Sequence, residues 1–197
     1  AEGPGGFIEA MINYRKNRTE FKNLKDQYLC MSLYASDNTI PKWNSFLFKN
    51  SEIEIYYGND GTGDLYNIEN ILSLSEKCNH NVDIVTCDGG FNFSENYDQQ
   101  EQQSYRLILC QIISGINILK PEGTLLVKIF DIFTMFTVKI IYFLTGIFET
   151  VNITKPFTSR SANSEKYVVC KGFLGITDVI LNKYYTIIDR WVYTKNL

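Results

Sequence analysis

Three ionisable side chains stand where an open sheet would present them to a ligand: Asp88 in "VDIVTCDGG", Lys128 in "GTLLVKIF" and Glu165 just before "KYVVCKGF". "TLLVKIF" reads as a buried strand, and a lysine there is costly unless carboxylates lie near its ammonium. An acid, a lysine and a second acid on one crevice bind polar groups by charge. They also move a proton when a further cation brings the lysine pKa toward neutrality, a shift the two carboxylates oppose. Taken singly, each residue has a plainer role: Asp88 before two glycines as a turn residue, Lys128 as a snorkelling lysine, Glu165 as a surface acid. It is their joint placement that points to chemistry.

That placement depends on the order of elements. The glycines of "AEGPGGF" lead into a helix marked by Phe7, Met11 and Tyr14 at helical spacing. "QYLCMSLY" and "IEIYYG" read as strands, and a helix near 68–77 follows a polar glycine loop. "VDIVTCDGG" is a third strand, stopping at Asp88; a helix carrying Tyr105, Leu109, Ile112, Ile113 and Ile116 on one face comes next. "GTLLVKIF" from Gly123 is a fourth strand, with a helix through Phe136, Ile140, Phe143, Leu144 and Ile147 after it. Strands that alternate with helices form parallel crossovers, with helices on both faces of the sheet, so the fold class is α/β. The end of the chain breaks the pattern. Only about ten residues without helical period join a strand at 149–154 to "KYVVCKGF", too few for a parallel crossover. The last strand is therefore expected to run antiparallel, before a final helix through Ile180, Tyr184, Ile187, Ile188 and Trp191. Parallel neighbours lie about 4.8 Å apart, and the start of an antiparallel strand meets the carboxyl ends of its parallel neighbours. Asp88, Lys128 and Glu165 thus converge.

Composition narrows the class. The 197 residues, 45% hydrophobic and 14% aromatic, suffice for one well-buried domain. A formal net charge of -3 argues against a protein that coats nucleic acid by charge alone, and leaves room for a local basic patch. The five cysteines are scattered without a CxxC pair beside a single histidine, which fits reduced thiols in an intracellular compartment better than a disulfide framework or a zinc site. The apolar run at 129–148 contains Asp131 and Lys139, as a protein core does and a bilayer helix rarely does. No membrane partner is expected.

In an open α/β sheet the first glycine turn lines the ligand crevice, so Gly3, Pro4, Gly5 and Gly6 are expected to touch a cofactor. The turn is not GxGxxG, and "CMSLY" ends without an acid to hold a ribose, which weakens a nicotinamide or flavin reading. Such a turn normally follows a strand. We expect that strand to lie upstream of Ala1, in a longer polypeptide of which residues 1–197 are a single domain lacking its first strand.

"AEGPGGF", "YYGNDGTGDL", "CDGGF", "LLVKIFDIFTMFT" and "KPFTSRSANSEKYVVCKGF" occur in an order that resembles the FtsJ-like mRNA cap 2'-O-methyltransferases of eukaryotes and large DNA viruses. The resemblance covers most of the chain and weakens after Phe173. It implies a Rossmann-like methyltransferase fold, a mostly parallel sheet with one antiparallel C-terminal strand, and S-adenosylmethionine as cofactor. It also implies a Lys-Asp-Lys-Glu tetrad of which Asp88, Lys128 and Glu165 match three members, the first lysine falling upstream of Ala1. Lys128 would bind or deprotonate a ribose 2'-hydroxyl while Asp88 and Glu165 orient it. The resemblance puts Gly3, Pro4, Gly5, Gly6, Asp64 and Asp88 around the cofactor, and Ser159, Arg160, Ser161 and Lys155 against RNA. The sulfonium is already an activated leaving group, so no metal is required.

The implied substrate is capped RNA, with further domains of the same polypeptide or other capping enzymes as partners. The implied location is the nucleus for a cellular protein, and the cytoplasmic virus factory or the virion for a viral one. A ribosomal or transfer RNA methyltransferase with the same tetrad is an alternative, as is an inactive methyltransferase-like module that binds RNA or protein. Without the upstream lysine, residues 1–197 alone are expected to be catalytically silent.

Overall fold

The computed structural model describes residues 4–34, 42–91, 99–157, 159–160 and 163–193. These form two compact units, Ala1–Asp64 and Leu65–Leu197.

In the first unit, helix α1 (Gly6–Lys16) precedes two parallel strands, β1 (Tyr28–Met31) and β2 (Ile53–Tyr56), with Cys30 opposite Ile55. Cys30, Trp43 and Leu47 form its core, with Ile8, Phe46, Ile53, Ile55 and Tyr57 packed against them. The inward residue of α1 is Ile12, whereas Tyr14 is about half exposed. The Phe7–Met11–Tyr14 stripe is therefore not the buried face: Tyr14 lies beside the Phe21 ring, with the Arg18 guanidinium over its own ring.

The second unit contains α2 (Ile68–Cys78), β3 (Val82–Cys87), α3 (Gln100–Ile118), β4 (Leu119–Ile129), α4 (Met135–Thr145), β5 (Phe148–Thr154), β6 (Lys166–Phe173) and α5 (Asp178–Tyr193). Its sheet has the order β3-β4-β6-β5. β3 and β4 are parallel, and β6 runs antiparallel to both β4 and β5, as the short connector before it predicts. The ladder between β3 and β4 shifts register between Val82 and Ile84, so Leu119 pairs with Val82 and regular pairing resumes at Thr124. β4 therefore begins before the Gly123 expected from sequence.

Alternation sets the faces of this sheet. Leu125, Val127 and Ile129 of β4 are buried, as are Val168 and Cys170 of β6, which pair with Val127 and Leu125. Lys128 and its partner Tyr167 lie on the opposite face. The helix α3 corrects the one-faced stripe read from sequence. Every residue from Ile108 to Ile118 is buried, because α3 packs against β3 and β4 and also touches α2, α4 and α5. Arg106 of α3 stacks near the Tyr66 and Trp191 rings and donates to the Trp191 carbonyl, tying α5 to this central helix. No described helix is long and apolar enough to cross a membrane; α4, inside the apolar run, spans 11 residues.

Candidate active site

Asp88 follows the last residue of β3, Lys128 is the penultimate residue of β4, and Glu165 immediately precedes β6. Because β6 is antiparallel, Lys166 pairs with Ile129 and Tyr167 with Lys128, which delivers Glu165 to the carboxyl end of β4. The Lys128 side chain is 11% exposed. Its Nζ donates to the Asp88 main-chain carbonyl at 2.9 Å and lies 3.3 Å from Asp88 Oδ1 and 3.9 Å from Glu165 Oε1. A largely buried ammonium thus has the acceptors it needs, two of them charged. The loop after β3 passes close over the lysine: a Cβ at Gly90 would sit 3.2 Å from Nζ.

The surrounding contacts hold this cluster in register. The Tyr167 hydroxyl donates to Asp88 Oδ1 at 2.8 Å, the same oxygen that faces the lysine. Asn163 Nδ2 donates to Glu165 Oε2 at 3.0 Å and so orients that carboxylate. Lys155 Nζ donates to the Asn163 carbonyl, to Asn163 Oδ1 and to the Glu165 carbonyl at 2.6, 2.8 and 3.2 Å, and Ser159 Oγ to Asn163 Oδ1 at 3.0 Å. Two residues assigned to RNA from the motif, Lys155 and Ser159, therefore brace the loop that bears Glu165. Arg160 is exposed on that loop. Lys166 pairs with Asp131, 3.1 Å away. Ser161 and Gly3 lie outside the described residues.

Glu101 in the first turn of α3 carried no signal in the motif reading, yet it is only 6% exposed. Its carboxylate accepts from the Phe133 and Thr134 amides, both at 3.0 Å, and from the Thr134 and Thr137 hydroxyls at 2.7 and 2.6 Å. Thr134 is the N-cap of α4 and makes no side-chain cap of its own, so Glu101 caps that helix from α3. Burial alone would raise its pKa, but these hydrogen bonds outweigh burial and hold the carboxyl below its ordinary value. Cys87, beside Asp88, behaves oppositely: burial first, then the Asp88 charge, pushes its thiol up to about 11.

In the first unit the glycine turn offers backbone. Gly5, with φ of 105°, is the N-cap of α1 and brings no side-chain cap of its own. A Cβ on Gly5 would meet Leu47 Cδ1 at 2.5 Å, whereas one on Gly6 would meet nothing within 4 Å. The Pro4 carbonyl accepts from the Asn44 amide at 3.0 Å. Asp64 is half-buried at the end of a tight loop in which Thr62 Oγ1 accepts from the Asp64 amide and donates to Asp60 Oδ1.

Residues 1–173 match the model of the FtsJ-like methyltransferases. The chain belongs to the FtsJ-like methyltransferase family. This FtsJ-like chain is 38% identical over 194 residues to the cap-specific mRNA (nucleoside-2'-O-)-methyltransferase 1 of Danio rerio, covering 94% of the chain and 22% of that protein. It is 45% identical over 121 residues to the protein of the same name from Trypanosoma brucei brucei, covering 60% of the chain and 33% of that protein. The chain thus spans between a fifth and a third of the length of these relatives. A crystal structure of a putative ribosomal RNA methyltransferase from Plasmodium falciparum shares the fold, with a TM-score of 0.59 at 21% identity over 88% of this chain and 84% of that one. The fold is the Rossmann-like α/β methyltransferase type expected from the strand order.

Proposed function

We propose that this chain is the catalytic part of an enzyme that transfers a methyl group from S-adenosylmethionine to the ribose 2'-hydroxyl of a 5'-terminal nucleotide of capped mRNA. The observation that carries this reading is the buried Lys128 ammonium within 3.3 Å of Asp88 and 3.9 Å of Glu165 at the carboxyl edge of the sheet. Support for the capped substrate comes from the cap-specific names of relatives at 38% and 45% identity.

Lys128 is the group that meets the 2'-hydroxyl. Asp88 and Glu165 hold its Nζ at the carboxyl edge of the sheet, and Tyr167 and Asn163 fix the two carboxylates in turn. Reactant placement of this kind removes much of the entropic part of a barrier.

The residues present fit the cofactor. The open space at Gly6, at the N-terminus of α1, suits a carboxylate such as that of a methionine moiety. Asp64 is the proposed adenine contact and Asp88 a further polar contact. The cofactor supplies a methyl group on a sulfonium, poised for displacement. Arg160, exposed on the loop before β6, is the proposed phosphate contact.

The test is methyl transfer from labelled S-adenosylmethionine to short capped and uncapped RNAs, using the full-length protein. Label in the 2'-O position of capped RNA alone is the expected result. Equal labelling of uncapped ribosomal or transfer RNA would assign another RNA substrate, and cofactor binding without labelling of any RNA would assign a binding module.

A further inference from the structure

Gln111 sits in the middle of the buried helix α3, with 0% of its surface exposed. Its Oε1 accepts from the Gly89 amide at 2.8 Å, and its Nε2 donates to the Leu107 carbonyl at 3.3 Å, so both ends of the side-chain amide have partners and its orientation is set. Its main-chain carbonyl accepts the Cys87 thiol at 3.5 Å. One residue of α3 therefore brackets Asp88 from both sides in sequence.

The Gly89 amide and the Asp88 carbonyl belong to the same peptide group, and that carbonyl is the one that accepts from Lys128 Nζ at 2.9 Å. In a trans peptide the N–H and C=O point in opposite directions. Gln111 therefore holds one end of a flat, rigid unit and Lys128 the other. A hydrogen bond to the N–H end polarises the amide and strengthens its carbonyl as an acceptor. An amide with no exposed surface costs free energy that an apolar side chain of equal length would not. Packing alone gives no reason for glutamine at this position, whereas the clamped peptide does.

We propose that Gln111 is a positioning residue for the methyl-transfer reaction, setting the place of Lys128 through the Asp88–Gly89 peptide. The proposal rests on the reading of Lys128 as the group that meets the 2'-hydroxyl. Gln111 touches neither RNA nor cofactor in this role, so its removal lowers kcat and leaves substrate affinities alone.

The experiment compares Gln111→Met, which keeps length and removes the acceptor, with Gln111→Glu, which keeps the acceptor, both in the full-length protein. Steady-state kinetics on capped RNA are paired with hydrogen exchange at the Gly89 amide, a readout that needs no turnover. For Gln111→Met we expect kcat about tenfold or more below wild type, given how steeply rate depends on reactant placement. Its KM for RNA and its cofactor Kd should stay within about twofold of wild type, a margin well inside one tenfold step of affinity, and Gly89 exchange should accelerate. For Gln111→Glu we expect Gly89 to stay protected and kcat to recover most of that loss. A folded Gln111→Met protein with wild-type kcat overturns the proposal, as does a loss spread equally over kcat, KM and cofactor binding. If Gln111→Met does not fold, Gln111→Glu decides: protection at Gly89 with a kcat as low as that of a Lys128 variant overturns it. If the wild-type protein methylates no RNA, the functional reading fails by itself, while Gly89 exchange still tests the contact.

Discussion

At the carboxyl edge of β3, β4 and β6 the groups that matter are side chains held by other side chains, whereas the turn at Pro4–Gly6 offers the main chain alone. Lys128, Asp88, Glu165, Tyr167 and Asn163 form a chain of contacts in which each polar atom is oriented by the next. At the turn, the main chain is shaped by what is missing: Gly5 adopts a conformation other residues resist, and Gly6 leaves space. The first kind of site fails when a functional group is removed. The second fails when one is added.

The largest expected effect tests the first half of that contrast. Lys128→Ala should cut methyl transfer about 10²–10⁴-fold, the usual worth of a positioned proton-transfer group, with RNA binding largely kept; label incorporation and a filter-binding assay measure the two. Retained turnover would mean that the side-chain edge is not where the chemistry occurs.

The next effect tests the turn. Gly5→Ala should destabilise the protein by about 1–3 kcal/mol through its positive φ, with the clash against Leu47 acting in the same direction. Gly6→Ala should leave thermal stability unchanged and weaken cofactor binding, as calorimetry would record. If both variants bind cofactor as wild type does, the turn serves packing only.

An effect of similar size concerns what supports the edge. Glu101→Gln loses charge-assisted acceptance from the start of α4 and should cost about 1.5–3 kcal/mol. Because the folded-state pKa of Glu101 lies below its ordinary value, its contribution is present above that ordinary value and lost as pH falls through the depressed one. Wild-type protein should therefore lose more stability than Glu101→Gln between about pH 4.5 and the acid limit, measured by circular dichroism against pH. Equal acid sensitivity would remove Glu101 from the account.

The smallest effect is an absence of reaction. Burial pushes the Cys87 thiol up to about 11 and the Cys170 thiol up to about 12, so neither is a thiolate at pH 8. Alkylation of native protein followed by peptide mapping should mark Cys78, the half-buried thiol, ahead of both.

The contrast also explains what could be read in the sequence. Asp88, Lys128 and Glu165 were legible because a charge within or beside an apolar strand demands partners, and the short connector before β6 dictated the direction that brings Glu165 in. Tyr167 was hidden by alternation: an aromatic residue in a strand reads as core, and only the pairing with Lys128 reveals which face it takes. Gln111 and Glu101 were hidden by helical period, which treats a polar residue as solvent-facing. In "LILCQIISGINIL" Gln111, Ser114 and Asn117 recur every third residue, which reads as a narrow solvent-facing stripe, whereas all three are buried. The bracing contacts of Lys155 and Ser159 were hidden for a different reason. A motif gives residue types, and only coordinates show that their hydrogen bonds go to Asn163 and Glu165.

The antiparallel pairing of β6 has one more consequence. The position of Glu165 is indexed by the ladder between β4 and β6, in which Lys128 matches Tyr167 and Ile129 matches Lys166, and the length of the β5–β6 connector does not enter. A slip of one residue would carry the Tyr167 phenol to the core face and put Val168 where Asp88 expects a donor. The alignment of β6 with β4 therefore decides, in whole residues, what faces Lys128 and Asp88, while Lys155, Ser159 and Asn163 of the connector brace the carboxylate that this alignment delivers.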